Sequence, residues 1–341
     1  MRHHFIAILT MLLTACAATF SSAFEIEDHA IFGDDKSEQR LRILSTADIE
    51  FFAPMISSYL SATPDIQIDY TVASSTEVMR AIYDEGASFD LVISSAMDLQ
   101  TKLANDGYAL THVPSSLPSL PDWAVWNDMV FAFTQEPAAV VISKADFAGH
   151  PVPSTRQELI AALRRDPERF YGRIGTYDVR NSGLGYLFAT QDARTSETYW
   201  RLTEVMGALD AQLYCCSSDM IDDVESGKLA IAYNVLGSYA AGRGETDRFE
   251  TVLLSDFTTV MLRTVLIPRT TDQPELATAF IDHMLDRTYG NGPTPLQNAS
   301  PDISITDAAL HRIRLGPGLL VFLDQFKSRS FLSEWESAIL Q

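Results

Sequence analysis

Phe89-Asp90-Leu91-Val92-Ile93-Ser94-Ser95-Ala96-Met97-Asp98 (FDLVISSAMD) is a short apolar run with β-branched members that stops at two adjacent serines. A run of this length and type reads as a buried strand, and in α/β folds the carboxyl ends of buried strands open on the ligand crevice. The serines then have two readings. They line a site, or Ser95 merely caps the following helix by accepting a bond from an orphan N–H. A single serine pair favours the cap, so the surrounding chain has to decide.

Upstream, the same grammar occurs twice. Residues 41–45 (LRILS) start a strand, and residues 49–60 carry Phe52, Met55, Ile56 and Leu60 at helical spacing until Pro64. Residues 66–72 alternate as a strand, and Ala73-Ser74-Ser75-Thr76 hands over to a helix bearing Val78, Met79, Ile82 and Tyr83, stopped by Gly86. Strands alternating with helices predict a mainly parallel sheet with right-handed crossovers. Ser45-Thr46, Ser74-Ser75 and Ser94-Ser95 would then stand on one rim of that sheet.

Downstream, residues 123–134 and 138–142 read as extended runs separated by Gln135-Glu136-Pro137, suited to carrying the chain out of a first lobe. Thr155-x-x-Glu158 is a capping box that opens a helix. A strand over 172–177 ends at Asp178-Val179-Arg180-Asn181-Ser182-Gly183-Leu184-Gly185, a glycine-bearing turn before an apolar helix. A helix over 200–209, a strand over 212–215, a helix from Ser217-Ser218-Asp219 and a strand over 229–233 ending in Asn234 repeat the pattern. Residues 257–267 read as one long apolar strand returning to the first lobe, followed by a helix over 274–285 with proline in its first turn. The expected organisation is a leader at 24–40 without regular structure, lobe 1 from 41–136 and 256–290, lobe 2 from 137–255, and a helical tail at 291–341. The fold class is α/β, with two lobes, each a mainly parallel sheet flanked by helices, and the ligand cleft at the hinge.

At 341 residues, 46% hydrophobic and 21% charged, the chain is long enough for two domains and has no disordered composition. Residues 1–23 read as a signal peptide: Arg2, an apolar stretch over 5–13, then Ser21-Ser22-Ala23 as a small-residue cleavage site. Leu13-Thr14-Ala15-Cys16 resembles a lipobox, which leaves lipid anchoring at Cys16 open. The expected place is the periplasm. The net charge of -20 repels nucleic acid and anionic membrane surfaces. Beyond Cys16 the cysteines are the adjacent pair Cys215-Cys216, whose disulfide would close a strained ring; it too is left open.

The order of FDLVISSAMDLQTKLANDGYA, GTYDVRNSGLGYLF, SGKLAIAYNVLGSYA and TVMLRTVLIPRTTDQPELATAFIDHML resembles the type II periplasmic solute-binding proteins of ABC transporters. The likeness is to the group with ferric-ion, hexose-phosphate and phosphoglycerate members, and the tail IRLGPGLLVFLDQFKSRSFLSEWESAIL is similar to the phosphoglycerate-regulatory-like endings. The resemblance implies ligand contacts at the strand-to-helix turns: Ser45, Thr46, Ser74, Ser75, Ser94 and Ser95 in lobe 1, and Arg180, Asn181, Ser182, Gly183, Ser217, Ser218, Tyr233, Asn234 and Arg263 from the rest of the chain. Arg180 to Gly183 form the best anion candidate, offering guanidinium, amide, hydroxyl and flexible backbone at a helix N-terminus. Against this, Arg180 reads equally as a solvent-facing turn residue, and Arg263, inside an apolar strand, needs a partner that an acid of the fold can supply.

The expected function is therefore capture of a small anionic solute, phosphorylated or carboxylated, for an ABC importer. The alternatives are a ligand sensor feeding a membrane histidine kinase and, more distantly, a ferric-ion binding protein. The expected partners are the small-molecule solute and a transporter permease or that kinase, with no nucleic acid, on a monomer. No cofactor and no metal is expected. The seven histidines make no chelating pair at short spacing, and Tyr233 and Tyr239 stand apart where ferric-binding relatives have adjacent tyrosines. No G-x-S-x-G elbow, P-loop or H-E-x-x-H occurs, so no enzyme is expected.

Overall fold

The computed structural model describes residues 23–115, 120–244, 246–290, 292–296 and 309–341. The expected signal peptide, with Cys16, lies outside the described residues except for Ala23.

The run FDLVISSAMD forms the strand Leu91–Ser94, near the middle of a seven-stranded sheet. From edge to edge that sheet runs Asp28–Gly33, Ile66–Val72, Gln39–Ser45, Leu91–Ser94, Thr264–Leu266, Val130–Ala132 and Val125–Trp126. Gln39–Ser45 pairs in parallel with both Ile66–Val72 and Leu91–Ser94, so three consecutive strand ends share one rim. Side-chain alternation along these strands supplies two cores. Leu41, Ile43, Leu91 and Ile93 pack under the helices Ile49–Ala62 and Pro274–Tyr289, against Phe52, Met55, Phe280 and Met284. Leu44 and Val92 face the opposite layer with Val78, Ile82 and Leu103.

The second sheet runs Leu310–Arg312, Thr258–Met261, Glu136–Ser143, Ile231–Leu236, Ile174–Tyr177 and Gln212–Tyr214, with Phe249–Val252 also paired to Glu136–Ser143. Ile231–Leu236, Ile174–Tyr177 and Gln212–Tyr214 are mutually parallel neighbours, giving a second rim. Alternation again divides the core: Ala139 and Val141 lie on one face, Val140 and Ile142 on the other.

Four expectations change. The leader is not structureless, because Asp28–Gly33 pairs antiparallel with Ile66–Val72 along six residues and forms the sheet edge. The run over 257–267 is two strands: Thr258–Met261 belongs to the second sheet and Thr264–Leu266 to the first, with Leu262 and Arg263 at the break. Residues 258–261, assigned above to lobe 1, thus pair in the other sheet. The strand ending in Asn234 instead continues to Leu236 through a bulge, with Asn234 at φ 63°. The tail also contributes a strand, Leu310–Arg312, before the helix Gln325–Ile339 packs on Thr198–Ala208.

Glu136 stands on the outgoing connection between sheets and Arg263 on the returning one, and the two form a fully buried ion pair at 2.9 Å. The Thr134 and Ser238 hydroxyls donate to the same carboxylate, and Arg263 N–H donates to Thr134 Oγ1 at 3.3 Å. The two crossings are therefore clamped side by side. The guanidinium beside it holds the Glu136 carboxyl below its ordinary range despite burial.

Candidate functional site

The two rims face each other across a narrow cleft, partly open to solvent, with about 50 Å³ of free interior. Lobe 1 contributes Thr46, Asp48, Ala73, Ser74, Ser75 and Ser95 from its parallel strand ends, and Glu27 from just before the edge strand. Lobe 2 contributes Tyr177, Ser182, Leu184, Cys215, Cys216, Ser217, Ser218, Leu236 and Tyr239.

The lobes touch at the cleft's margins. Leu184 N–H donates to Ser75 Oγ at 3.2 Å, and the Thr76 hydroxyl donates to the Asn181 carbonyl at 2.9 Å. Asp48 N–H donates to Tyr239 Oη at 3.3 Å, while the Tyr239 ring stacks on Phe51 at 5.9 Å. Gly183 serves this approach: a Cβ there would lie 2.8 Å from Ser75 Oγ and 2.9 Å from Leu99 Cδ1.

Of the residues expected from sequence, Thr46, Ser74, Ser75, Ser95, Ser182, Ser217 and Ser218 line this cleft together. Several do so while capping. Ser74 Oγ accepts from Glu77 N–H, and Ser182 Oγ from Gly185 N–H. The opening pair divides. Ser94 Oγ accepts from Ala96 N–H and stays below the rim, as Ser45 Oγ does with Ala47 N–H. Ser95 reaches the cleft, where its N–H donates to Thr46 Oγ1 at 3.0 Å.

The remaining candidates stand elsewhere. Arg180 is on the surface, its Nε and Nη2 bound to both oxygens of Asp178 at 2.8 and 2.7 Å. Asn181 is exposed and offers its carbonyl to the lobe contact. Tyr233 and Asn234 turn into the core of lobe 2, where Tyr233 Oη accepts from Arg156 Nε at 2.9 Å and Asn234 Nδ2 donates to Asp192 at 2.8 Å. Thr259 completes that network on Asp192 at 2.8 Å. Arg263 belongs to the hinge clamp, its Nε and Nη2 on Glu136.

Sequence reasoning missed Glu27, Asp48, Tyr177, Cys215, Cys216 and Tyr239. The strand-end rule that selected the serines reaches Asp48, Tyr177 and the cysteines as well, since each sits at a strand-to-helix handover. Asp48 is the N-cap residue of Ile49–Ala62, yet its side chain makes no capping bond. Glu27 had no signal, because only its pairing to the sheet brings it there: its N–H donates to the Val72 carbonyl at 2.8 Å.

These additions fix the sign of the site. Among the described lining residues there is no lysine, arginine or histidine, and there are two carboxylates. Burial pushes the pKa of Asp48 up, and for Glu27 burial is reinforced by the neighbouring charges of Asp48 and Asp219. Burial also raises the phenols of Tyr177 and Tyr239, whose hydroxyls serve as hydrogen-bonding groups; Tyr177 Oη pairs with Ser217 Oγ at 2.5 Å.

Residues 45–290 match the family described as bacterial extracellular solute-binding protein. The chain belongs to that family. A substrate-binding protein of an ABC transporter from Agrobacterium tumefaciens is 32% identical, with 92% of this chain and 98% of that one covered at a TM-score of 0.84. Two more distant structures share the fold. AfuA from Actinobacillus pleuropneumoniae, with fructose-6-phosphate bound, is 14% identical over 89% of this chain and 99% of its own, TM-score 0.70. Iron-bound HitA from Pseudomonas aeruginosa is 15% identical over 88% and 99%, TM-score 0.65. No curated protein matches in sequence. The extracellular solute-binding protein described here is thus built on the two-lobed type II periplasmic plan of ABC transporter binding proteins.

Proposed function

We propose that this solute-binding protein captures a small polar solute carrying positive charge and delivers it to an ABC transporter permease. The observation that carries the reading is the lining itself: seven hydroxyl-bearing serine and threonine residues, the carboxylates of Glu27 and Asp48, and no cationic side chain. The expectation of an anionic solute rested on Arg180, whose guanidinium is spent on Asp178 outside the cleft. Carboxylates recruited from one lobe and hydroxyls from both suit a cation that hydrogen-bonds to each wall. The chain's overall charge of -20 attracts the same class of ligand.

Closure follows from differential affinity: a solute contacting both walls stabilises the closed arrangement over the open one. Delivery to a permease is supported by the identity to the Agrobacterium transporter protein, and export by residues 1–23 fits the extracellular family. The test is a melting-temperature screen with two panels of similar size, one of small amines and quaternary ammonium compounds, the other of sugar phosphates and carboxylates. Ligands that bind only the folded chain raise its melting temperature. Shifts confined to the cationic panel are expected; shifts confined to the anionic panel would overturn the assignment.

A further inference from the structure

One wall of the cleft carries chemistry that a hydroxyl-and-carboxylate site does not require. Cys215 and Cys216 end the strand side of lobe 2, and their Sγ atoms and a carboxylate oxygen of Asp219 all lie within 4.8 Å of one another. Cys215 Sγ stands 3.7 Å from Asp219 Oδ2. Both cysteines line the cleft and are accessible, Cys215 exposed and Cys216 half-buried. Cys216 is the N-cap residue of the helix Ser217–Glu225, and its side chain makes no capping bond; the sulfurs bear no disulfide.

We propose that Cys215, Cys216 and Asp219, with Glu27 opposite, bind a thiophilic divalent cation of the zinc and cadmium class. The geometry is close to what such an ion needs. Tetrahedral zinc with Zn–S near 2.3 Å sets its two sulfurs roughly 3.8 Å apart, and a carboxylate oxygen completes a third position at about 2 Å. The three donor atoms already lie within 4.8 Å of one another. Glu27 lines the same cleft from lobe 1 and is the donor available for the fourth position. An ion held between them would bridge the lobes and favour closure.

Asp219 and, across the cleft, Glu27 add carboxylates to a wall that carries both thiols, and a divalent ion offsets their charge. The ion replaces the two thiol protons, which leave to solvent, so binding strengthens as pH rises. The helix N-terminus behind Cys216 also favours the thiolates that form.

The inference rests on the reading of the cleft as a cation site and names a class of cation for it. The test titrates zinc and cadmium into the full chain under a phosphine reductant, in a Cys16→Ser background so that the third cysteine adds nothing. Cadmium should bind with one equivalent per chain and an ultraviolet thiolate-to-cadmium charge-transfer band. Cys215→Ser and Asp219→Asn should each weaken binding by more than about tenfold, and Cys215→Ser, at an exposed position, should leave the melting temperature of the metal-free chain unchanged. Absence of the band, or an affinity insensitive to both substitutions, would overturn the metal site. Failure of the unsubstituted chain to bind metal while amines still raise its melting temperature would sink this inference and leave the cationic cleft standing; absence of both responses would sink both.

Discussion

Arg180 and Asp98 show how a residue's neighbours, more than its type, decide what it does. Arg180 has the identity and place of an anion ligand, but Asp178, two positions earlier, takes its Nε and Nη2 in a bidentate pair. Arg180→Ala should therefore leave solute affinity unchanged in a calorimetric titration, and a loss beyond tenfold would return it to the site. Asp98 is buried on the helix Met97–Asn105, its carboxylate accepting from Leu99 N–H at 2.9 Å, and burial pushes its pKa up to about 7. Between the ordinary carboxylate range and about 7 the folded chain then holds a proton that the unfolded chain has lost, so stability should fall as pH rises through that window. Asp98→Asn keeps the acceptor for Leu99 and should flatten this slope, stabilising the chain at pH 8 by roughly 2–4 kcal/mol. Denaturant unfolding at pH 5 and pH 8 measures it; an unchanged slope would show that Asp98 is ionised in the fold.

The strands of the first βαβαβ series were legible because their apolar runs are short, β-branched and bounded by serine or proline. Gln39–Ser45, Ile66–Val72 and Leu91–Ser94 fall where alternation and turn residues put them. Periodicity could not reveal that the apolar run over 257–267 changes sheets at Arg263, since both halves are equally apolar. Nor could it give the edge strand Asp28–Gly33, whose polar, exposed residues are ordered by pairing with Ile66–Val72 rather than by burial. The serines of the cleft could be read from the strand ends; Glu27 could not, being brought there by that same unforeseen pairing. Arg263 was flagged as needing a partner, and the structure supplies Glu136 across the two crossings. Glu136→Gln would leave the buried guanidinium uncompensated and should cost about 3–5 kcal/mol in chemical denaturation. A loss below 1 kcal/mol would mean that water or another acid reaches Arg263.

At the scale of the whole molecule, two sheets connected by clamped crossings put the carboxyl ends of both sets of parallel strands on one cleft, as the crevice rule for open α/β sheets requires. What the family leaves unspecified is the solute, and here the charge of the walls differs from the anionic solute expected from the turn at Arg180. If Glu27 and Asp48 hold a cation, acidification through their raised pKa range must weaken binding, because protonation removes the charge the solute is bound by. The decisive quantity is the melting-temperature rise produced by a cationic ligand, compared between the native chain and the Glu27→Gln, Asp48→Asn double variant. A rise at neutral pH that is abolished in the variant is expected. An equal rise in both, or a variant that gains affinity for sugar phosphates while the native chain never responds to cations, would contradict the reading of this cleft as a cation-binding site.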